Sequence, residues 1–135
     1  MAVFLADTSA WHRSGQVADA WSALIEDDDV ALCGPVALEI LYSARRRDEY
    51  EQLAAELEGV PMLPFREDTT ALALRAQSKL ARSAQHRGPK PVDLLIAAVA
   101  ESHGVVLLHY DRHFDAIVRA TGQPAQWLAK RGSLD

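Results

Sequence analysis

The stretch Val92-Asp93-Leu94-Leu95-Ile96-Ala97-Ala98-Val99-Ala100-Glu101-Ser102-His103-Gly104-Val105-Val106-Leu107-Leu108-His109-Tyr110-Asp111 decides the fold. Its first part, Val92 to His103, is almost continuously apolar and too long for a strand, so it reads as a buried helix that Gly104 ends. Val105 to Leu108 is the strongest strand in the chain: a short aliphatic run, rich in valine, bounded by a glycine and by polar residues. A buried helix running into a buried strand is the signature of alternating α/β architecture.

Working outward, the same alternation recurs. Ala2-Val3-Phe4-Leu5-Ala6 is a short apolar strand ending at Asp7-Thr8-Ser9, residue types that cap helices. Val17, Ala20, Trp21, Leu24 and Ile25 recur at spacings of three and four, as on one helix face. Val30 to Cys33 reads as a second short strand, broken by Gly34-Pro35, and Pro35 suits the first turn of a helix carrying Val36 to Tyr42. Asp48 to Glu58 predicts a further helix with Leu53 and Leu57 inward and Gly59 at its end. Val60 to Phe65, interrupted by Pro61 and Pro64, reads as an edge strand or a connection. Glu67 to Gln85 predicts a long amphipathic helix, followed by the turn-rich loop Arg87 to Pro91. A short helix from about Phe114 and a tail with Trp127 and Leu128 complete the chain. The expectation is one domain over residues 1–135, an α/β sandwich with a mostly parallel central sheet flanked by helices.

Bulk properties narrow the class. At 135 residues and 49% hydrophobic content the chain has material for one real core and too much for disorder. No apolar run approaches the roughly 20 residues that span a bilayer, and the N-terminal stretch has no basic segment like that of a secretory signal. A soluble, cytoplasmic protein without a membrane partner is expected. The single cysteine, Cys33, excludes a disulfide framework and a cysteine-built zinc site. A net charge of −5 argues against simple electrostatic binding of nucleic acid, although Arg45-Arg46-Arg47 and the stretch Arg82 to Lys90 are locally basic.

Four carboxylates carry the chemical signal. In open parallel sheets ligands bind beyond the carboxyl ends of the strands. Asp7 follows the first strand directly, and Asp111 follows the strongest strand after two residues. Asp93 and Glu39 lie in apolar helical surroundings, where an unpartnered carboxylate is costly. Each has a simpler reading: Asp7 and Asp93 stand where helix caps stand. Taken together, the four point to one acidic pocket. Oxygen-only ligands, with no cysteine set or paired-histidine motif, suit a hard divalent cation such as Mg²⁺, with Mn²⁺ as a substitute. The acidic run Glu26 to Asp29 is read as a solvated helix end, and the five histidines match no metal-ligand spacing.

These segments also carry a family resemblance. Leu5-Ala6-Asp7-Thr8-Ser9-Ala10, Glu39-Ile40, Val92-Asp93-Leu94-Leu95-Ile96-Ala97-Ala98 and Tyr110-Asp111-Arg112-His113-Phe114 occur in order over nearly the whole chain. In this the sequence resembles PIN-domain ribonucleases, specifically the VapC-type toxins of VapBC toxin–antitoxin pairs. The resemblance implies a metal-dependent endoribonuclease in which Asp7, Glu39, Asp93 and Asp111 are the catalytic and metal-holding residues, and Thr8 or Ser9 supports them by hydrogen bonding. It also implies a structured cellular RNA such as tRNA or rRNA as substrate, a cognate VapB-type antitoxin, and a homodimer; the acidic groove suggests that the antitoxin blocks it by inserting a basic side chain among the carboxylates. Two positions depart from the commoner family pattern: His109 stands where Thr is frequent, and His113 where a further Asp is frequent. Two other readings stay open on the residues alone. One is a non-catalytic, metal-stabilised module that binds RNA or protein. The other is a phosphatase with Asp7 as nucleophile, against which stands the lack of a second Asp two residues on.

Overall fold

A computed structural model describes residues 2–135. Its centre is a parallel sheet of four short strands, β1 (Phe4–Ala6), β2 (Val30–Ala31), β3 (Val106–His109) and β4 (Ala125–Trp127), in the order β2-β1-β3-β4. β1 lies in the middle, with Leu5 opposite Ala31 on one side and Leu107 on the other. The pleat explains the layers. Side chains alternate along a strand, so Leu5 and Leu107 share one core with Leu32, Val36, Leu80, Ile96, Val99, Phe114 and Ile117. Ala6, Val30 and Leu108 face the other way, with Ala10, Trp21 and, at the margin, Phe4, Leu24 and Ile25. Two apolar faces on one sheet require helices on both, which gives the expected α/β/α sandwich.

The first face carries α3 (Gly34–Tyr42), α5 (Thr69–Ala81), α6 (Pro91–His103) and α7 (His113–Thr121); α1 (Thr8–Arg13) and α2 (Ala18–Glu26), joined by a 3₁₀ turn over Ser14–Val17, cover the second. There Trp11 and Trp21 meet edge to face with ring centroids 4.9 Å apart. α4 (Arg47–Glu58) packs against α3, with Leu53 and Leu57 turned toward the core as expected. Phe114 is fully buried, and complete burial of such a side chain contributes about 1.5–3 kcal/mol. Gly104 ends α6 in the left-handed conformation (φ 67°), which lets the chain reverse straight into β3.

Several boundaries differ from the sequence reading. The tail forms β4, pairing Ala125 with Leu107 and Trp127 with His109. The segment 60–65 is a connection with one bridge, Leu32 to Met62, and no strand. The helix expected over Glu67 to Gln85 is confined to Thr69–Ala81. At its start the Thr69 hydroxyl accepts the Arg66 N–H (2.8 Å), and at its end the Gln85 N–H reaches back to the Leu80 carbonyl (2.8 Å) while Ala84 takes a positive φ. All the described strands are parallel, so "mostly parallel" becomes fully parallel. No described helix is long and apolar enough to cross a membrane.

Candidate active site

The strand order fixes where a site belongs. From β1 the chain moves to β2 on one side, and later to β3 on the other, so β1 and β3 flank the point where the winding reverses. Ligand crevices open there, beyond the carboxyl ends of the strands. Asp7 leaves β1 and Asp111 leaves β3 at that end. α3 and α6 contribute Glu39 and Asp93 from above the same edge, Asp93 in the first turn of its helix. The acids influence one another electrostatically: Asp93 and Glu39 both act on Asp7, and Asp111 and Glu39 act on Asp93. The four predicted residues are therefore electrostatic neighbours at one edge of the sheet, Asp111 through Asp93, and together make that edge acidic.

Each carboxylate is anchored through one oxygen. Asp7 Oδ2 accepts the Ser9 N–H (2.9 Å), so Asp7 is also the cap of α1. Glu39 Oε1 accepts the Thr8 hydroxyl at 2.7 Å. Asp93 Oδ2 accepts the Lys90 N–H at 2.9 Å, tying the loop to the first turn of α6. Asp111 Oδ1 accepts the His113 N–H at 2.9 Å. No described hydrogen bond uses the second oxygen of any of the four, and Asp7 Oδ1 is fully buried without a partner. The capping bonds expected of Asp7 and Asp93 are present, and each leaves one oxygen uncommitted. Thr8 and Ser9 both support the site, since Ser9 Oγ also accepts the Tyr110 N–H (2.9 Å) and ties α1 to the end of β3.

Burial sets the electrostatics. Asp7 is only 4% exposed. Its removal from water, reinforced by Asp93 and Glu39 and opposed by the Ser9 hydrogen bonds, pushes its carboxyl from 3.8 up to about 6. Asp93 is raised as well, chiefly by burial and then by Asp111 and Glu39, against the Lys90 N–H. Beneath the cluster the buried Cys33 thiol is pushed up to about 11 by burial and by Asp7 and Glu39, so it stays protonated and packs as an apolar group.

These groups fit a hard cation. An orphaned buried carboxylate oxygen among three further carboxylates is a donor set of oxygen alone, and the residual negative charge needs compensation. Among the described residues, no three His, Cys, Asp or Glu side chains stand within ligating reach of one point. Holding an ion between three of them therefore requires rotation of the unanchored oxygens.

The histidines take other parts. His109 is 1% exposed, with its ring between Phe114 and Trp127 (centroids 5.1 and 4.9 Å). Burial pushes it below the usual histidine range, against Asp115 and Asp111. The neutral ring accepts the Asp111 N–H at Nδ1 (3.3 Å), so His109 positions Asp111 and faces no solvent. His113 orients Asp111 through its backbone. Arg45, Arg46 and Arg47 are exposed, and Arg46 and Arg47 pair with Asp48 (3.1 Å) and Glu51 (3.0 Å), so this patch is a solvated face.

On the flank of Asp111 lies a cleft of about 670 Å³, lined by Ser9, Arg13, Tyr110, Arg112, Trp127 and Arg131 among others. Sequence reasoning missed it. Arg13, Arg112 and Arg131 are far apart in the chain, and only the pairing of β3 with β4 and the bond from the Leu134 N–H to the Tyr110 hydroxyl (2.8 Å) bring them to one wall. The one local signal was Tyr110 and Arg112 standing on either side of Asp111.

Comparison with known proteins agrees with this geometry. Residues 4–120 match the PIN domain family. The chain is 43% identical to ribonuclease VapC18 of Mycobacterium tuberculosis over 136 aligned positions, covering 98% of this chain and 99% of that protein. It is 40% identical to ribonuclease VapC51 of the same organism, covering 98% and 97%. Among solved structures, the DNA-bound VapBC of Salmonella typhimurium matches with a TM-score of 0.75 at 19% identity, over 96% of this chain and all of that one. VapBC2 of Rickettsia felis, bound to a promoter DNA fragment, matches at 0.73 and 15%, over 92% and 97%; these two likenesses bear on the fold. With its sheet order, its four clustered carboxylates and near full-length identity to VapC ribonucleases, the chain belongs to the PIN-domain family and, within it, to the VapC proteins.

Proposed function

We propose that this protein is a metal-dependent endoribonuclease that hydrolyses RNA phosphodiester bonds as the toxin of a toxin–antitoxin pair. The observation that carries the reading is the cluster of Asp7, Glu39, Asp93 and Asp111 at the β1/β3 edge, each with one anchored and one uncommitted oxygen, in a chain 43% identical to a ribonuclease VapC. Asp7 and Asp93 would be the central ligands of Mg²⁺ or Mn²⁺, with Glu39 and Asp111 completing the set. When bound, the ion lowers the pKa of a coordinated water and stabilises charge on the phosphate. The chain supplies orientation. Ser9 holds Asp7, Thr8 holds Glu39, and His109 and His113 hold Asp111, each through one anchor, which leaves the second oxygens free to turn toward an ion.

The test is cleavage of total cellular RNA by the purified protein, with product ends mapped. EDTA should abolish cleavage and Mg²⁺ or Mn²⁺ restore it. A folded Asp7→Asn, Asp93→Asn variant should be inactive, and wild-type-like cutting by it would sink the proposal. End mapping also tests tRNA or rRNA as the target.

Two partners follow from the same reading. A VapB-type antitoxin, as present in the solved VapBC relatives, would quench the cluster by placing an Arg or Lys among the carboxylates. Inhibition that survives replacement of every such residue in the antitoxin would count against this. A second copy of the chain suits the apolar surface beside Glu39, where Leu38 is 70% and Tyr42 90% exposed alongside Pro35, Val92 and Leu95. Sedimentation should show a dimer that Tyr42→Glu weakens.

A further inference from the structure

The cleft beside Asp111 holds two arginines whose arrangement the carboxylate chemistry does not use. The Arg13 guanidinium lies over the Tyr110 ring at 4.7 Å, and that of Arg131 over the Trp127 ring at 5.6 Å. The two rings meet edge to face, 5.3 Å between centroids, so the arginines rest on adjoining rings of one cleft. A guanidinium placed over a ring leaves N–H donors free to meet an oxyanion. Arg13 has no acidic partner, and its Nε is buried with no hydrogen-bond acceptor in reach among the described residues. Arg131 commits one nitrogen to Asp115 (Nη1 to Oδ2, 3.4 Å), which also accepts the Trp127 indole N–H at 3.1 Å and fixes the ring beneath the arginine. Two acids, Asp111 and Asp135, line the same cleft. Asp111 is the point where the cleft joins the acidic cluster. A volume of about 670 Å³ lies within the range of about 300–1,000 Å³ for small-ligand sites.

We propose that Arg13 and Arg131, stacked on Tyr110 and Trp127, form a phosphate-binding subsite for single-stranded RNA on the flank of Asp111, holding a backbone phosphate next to the one that is cut. The proposal rests on the ribonuclease reading of the carboxylate cluster. It also resolves the charge problem of an acidic chain that handles RNA: attraction is confined to one wall next to the reacting centre, where it sets the strand's position.

The test measures binding of a single-stranded oligouridylate of about ten nucleotides in EDTA, across a series of salt concentrations, for the full chain and its variants. Arg13→Gln and Arg131→Gln should each weaken binding about tenfold or more, the loss expected for a charged hydrogen bond. Their combination should reduce the slope of log affinity against log salt by about 0.7, the value for one phosphate contact on a single strand. Arg13→Lys and Arg131→Lys, which keep the charge, should keep the slope. An unchanged slope in a folded double Gln variant would overturn the proposal, since the guanidiniums would then only pack on their rings. If Arg13→Gln does not fold, Arg131→Gln carries the test, because that side chain is 62% exposed. Asp93→Asn separates the two readings: it should bind with the wild-type slope and not cut. Wild-type cutting by Asp93→Asn would remove the acidic centre, and the placing of a subsite beside it would fall too.

Discussion

Replacing Asp7 by Asn should make the metal-free protein more stable while abolishing cleavage. Asp7 is 4% exposed, and its carboxyl rises from 3.8 to about 6 because burial, then Asp93 and Glu39, disfavour its charge. The sign follows from proton counting. Between those two values the folded state binds more protons than the unfolded chain, so stability is fully present below pH 3.8 and falls as pH rises through about 6. At 1.36 kcal/mol per pH unit, holding Asp7 ionised in the folded protein costs about 3 kcal/mol above that window. Asn removes this cost and keeps the hydrogen bond from the Ser9 N–H, since Asn caps helices as well as Asp. The new amide must still find a partner where Asp7 Oδ1 has none, which offsets part of the gain. The expected net stabilisation is about 1–3 kcal/mol, or roughly 3–10 °C in melting temperature for a chain of this size. Thermal unfolding in EDTA at about pH 8 and about pH 4.5 measures it, and the advantage of Asp7→Asn should shrink by about 2 kcal/mol at the acid end. Added Mg²⁺ should raise the melting temperature of the wild type and leave the variant nearly unmoved. An Asp7→Asn protein that melts below wild type at the alkaline end, or whose offset ignores pH, would refute the reasoning.

Three further perturbations probe the parts around this centre. Thr8→Val removes the hydroxyl that holds Glu39 at 2.7 Å with little change in shape; cleavage should fall about tenfold or more while Thr8→Ser stays near wild type. A Val variant as fast as wild type would show that Glu39 needs no anchor. Gly104→Ala places a side chain at φ 67° where α6 turns into β3, and should cost about 1 kcal/mol in denaturant titration without changing the metal requirement. Gln123→Leu takes away the buried amide that donates to the Ala97 carbonyl at 2.9 Å, and a loss of about 1–3 kcal/mol is expected, read as a shift in the denaturation midpoint at constant slope.

Much of the fold was legible because its central parts are contiguous. The helix from Val92 and the strand after Gly104 each announce themselves by a long apolar run, and the candidate acids stand at, near or within such runs: Asp7 directly after one, Asp111 two residues after another, Asp93 and Glu39 inside helical ones. β4 had no such signal. Ala125-Gln126-Trp127 is three residues of mixed character, and what makes it a strand is the row of backbone groups that β3 offers to it. The missing turns of the helix expected over Glu67 to Gln85 have a similar cause. Composition favours helix throughout, but the Thr69 hydroxyl and the Leu80 carbonyl take up the terminal N–H groups and end it early. Periodicity cannot register bonds of that kind.

The same distinction separates the two halves of the candidate site. A carboxylate in an apolar helix is anomalous by itself, so Asp93 and Glu39 could be picked out before any contact was known. An arginine on a surface is ordinary; Arg13 becomes unusual only when its ring partner and its unpartnered Nε are seen together, and Arg131 only when its ring partner is seen. Asp7 and Asp93 also had a physical reason to be legible: loss of water raises both carboxyls, and a residue whose placement works against stability is one that stability alone does not explain. The arginines carry no such signal in the sequence, because the ring contacts of both and the buried, unpartnered Nε of Arg13 arise only in the folded chain. Sequence therefore exposes the part of the candidate site that strains the protein. The proposed phosphate subsite emerges only when Tyr110 and Trp127, 17 positions apart in the chain, come together where β4 pairs with β3.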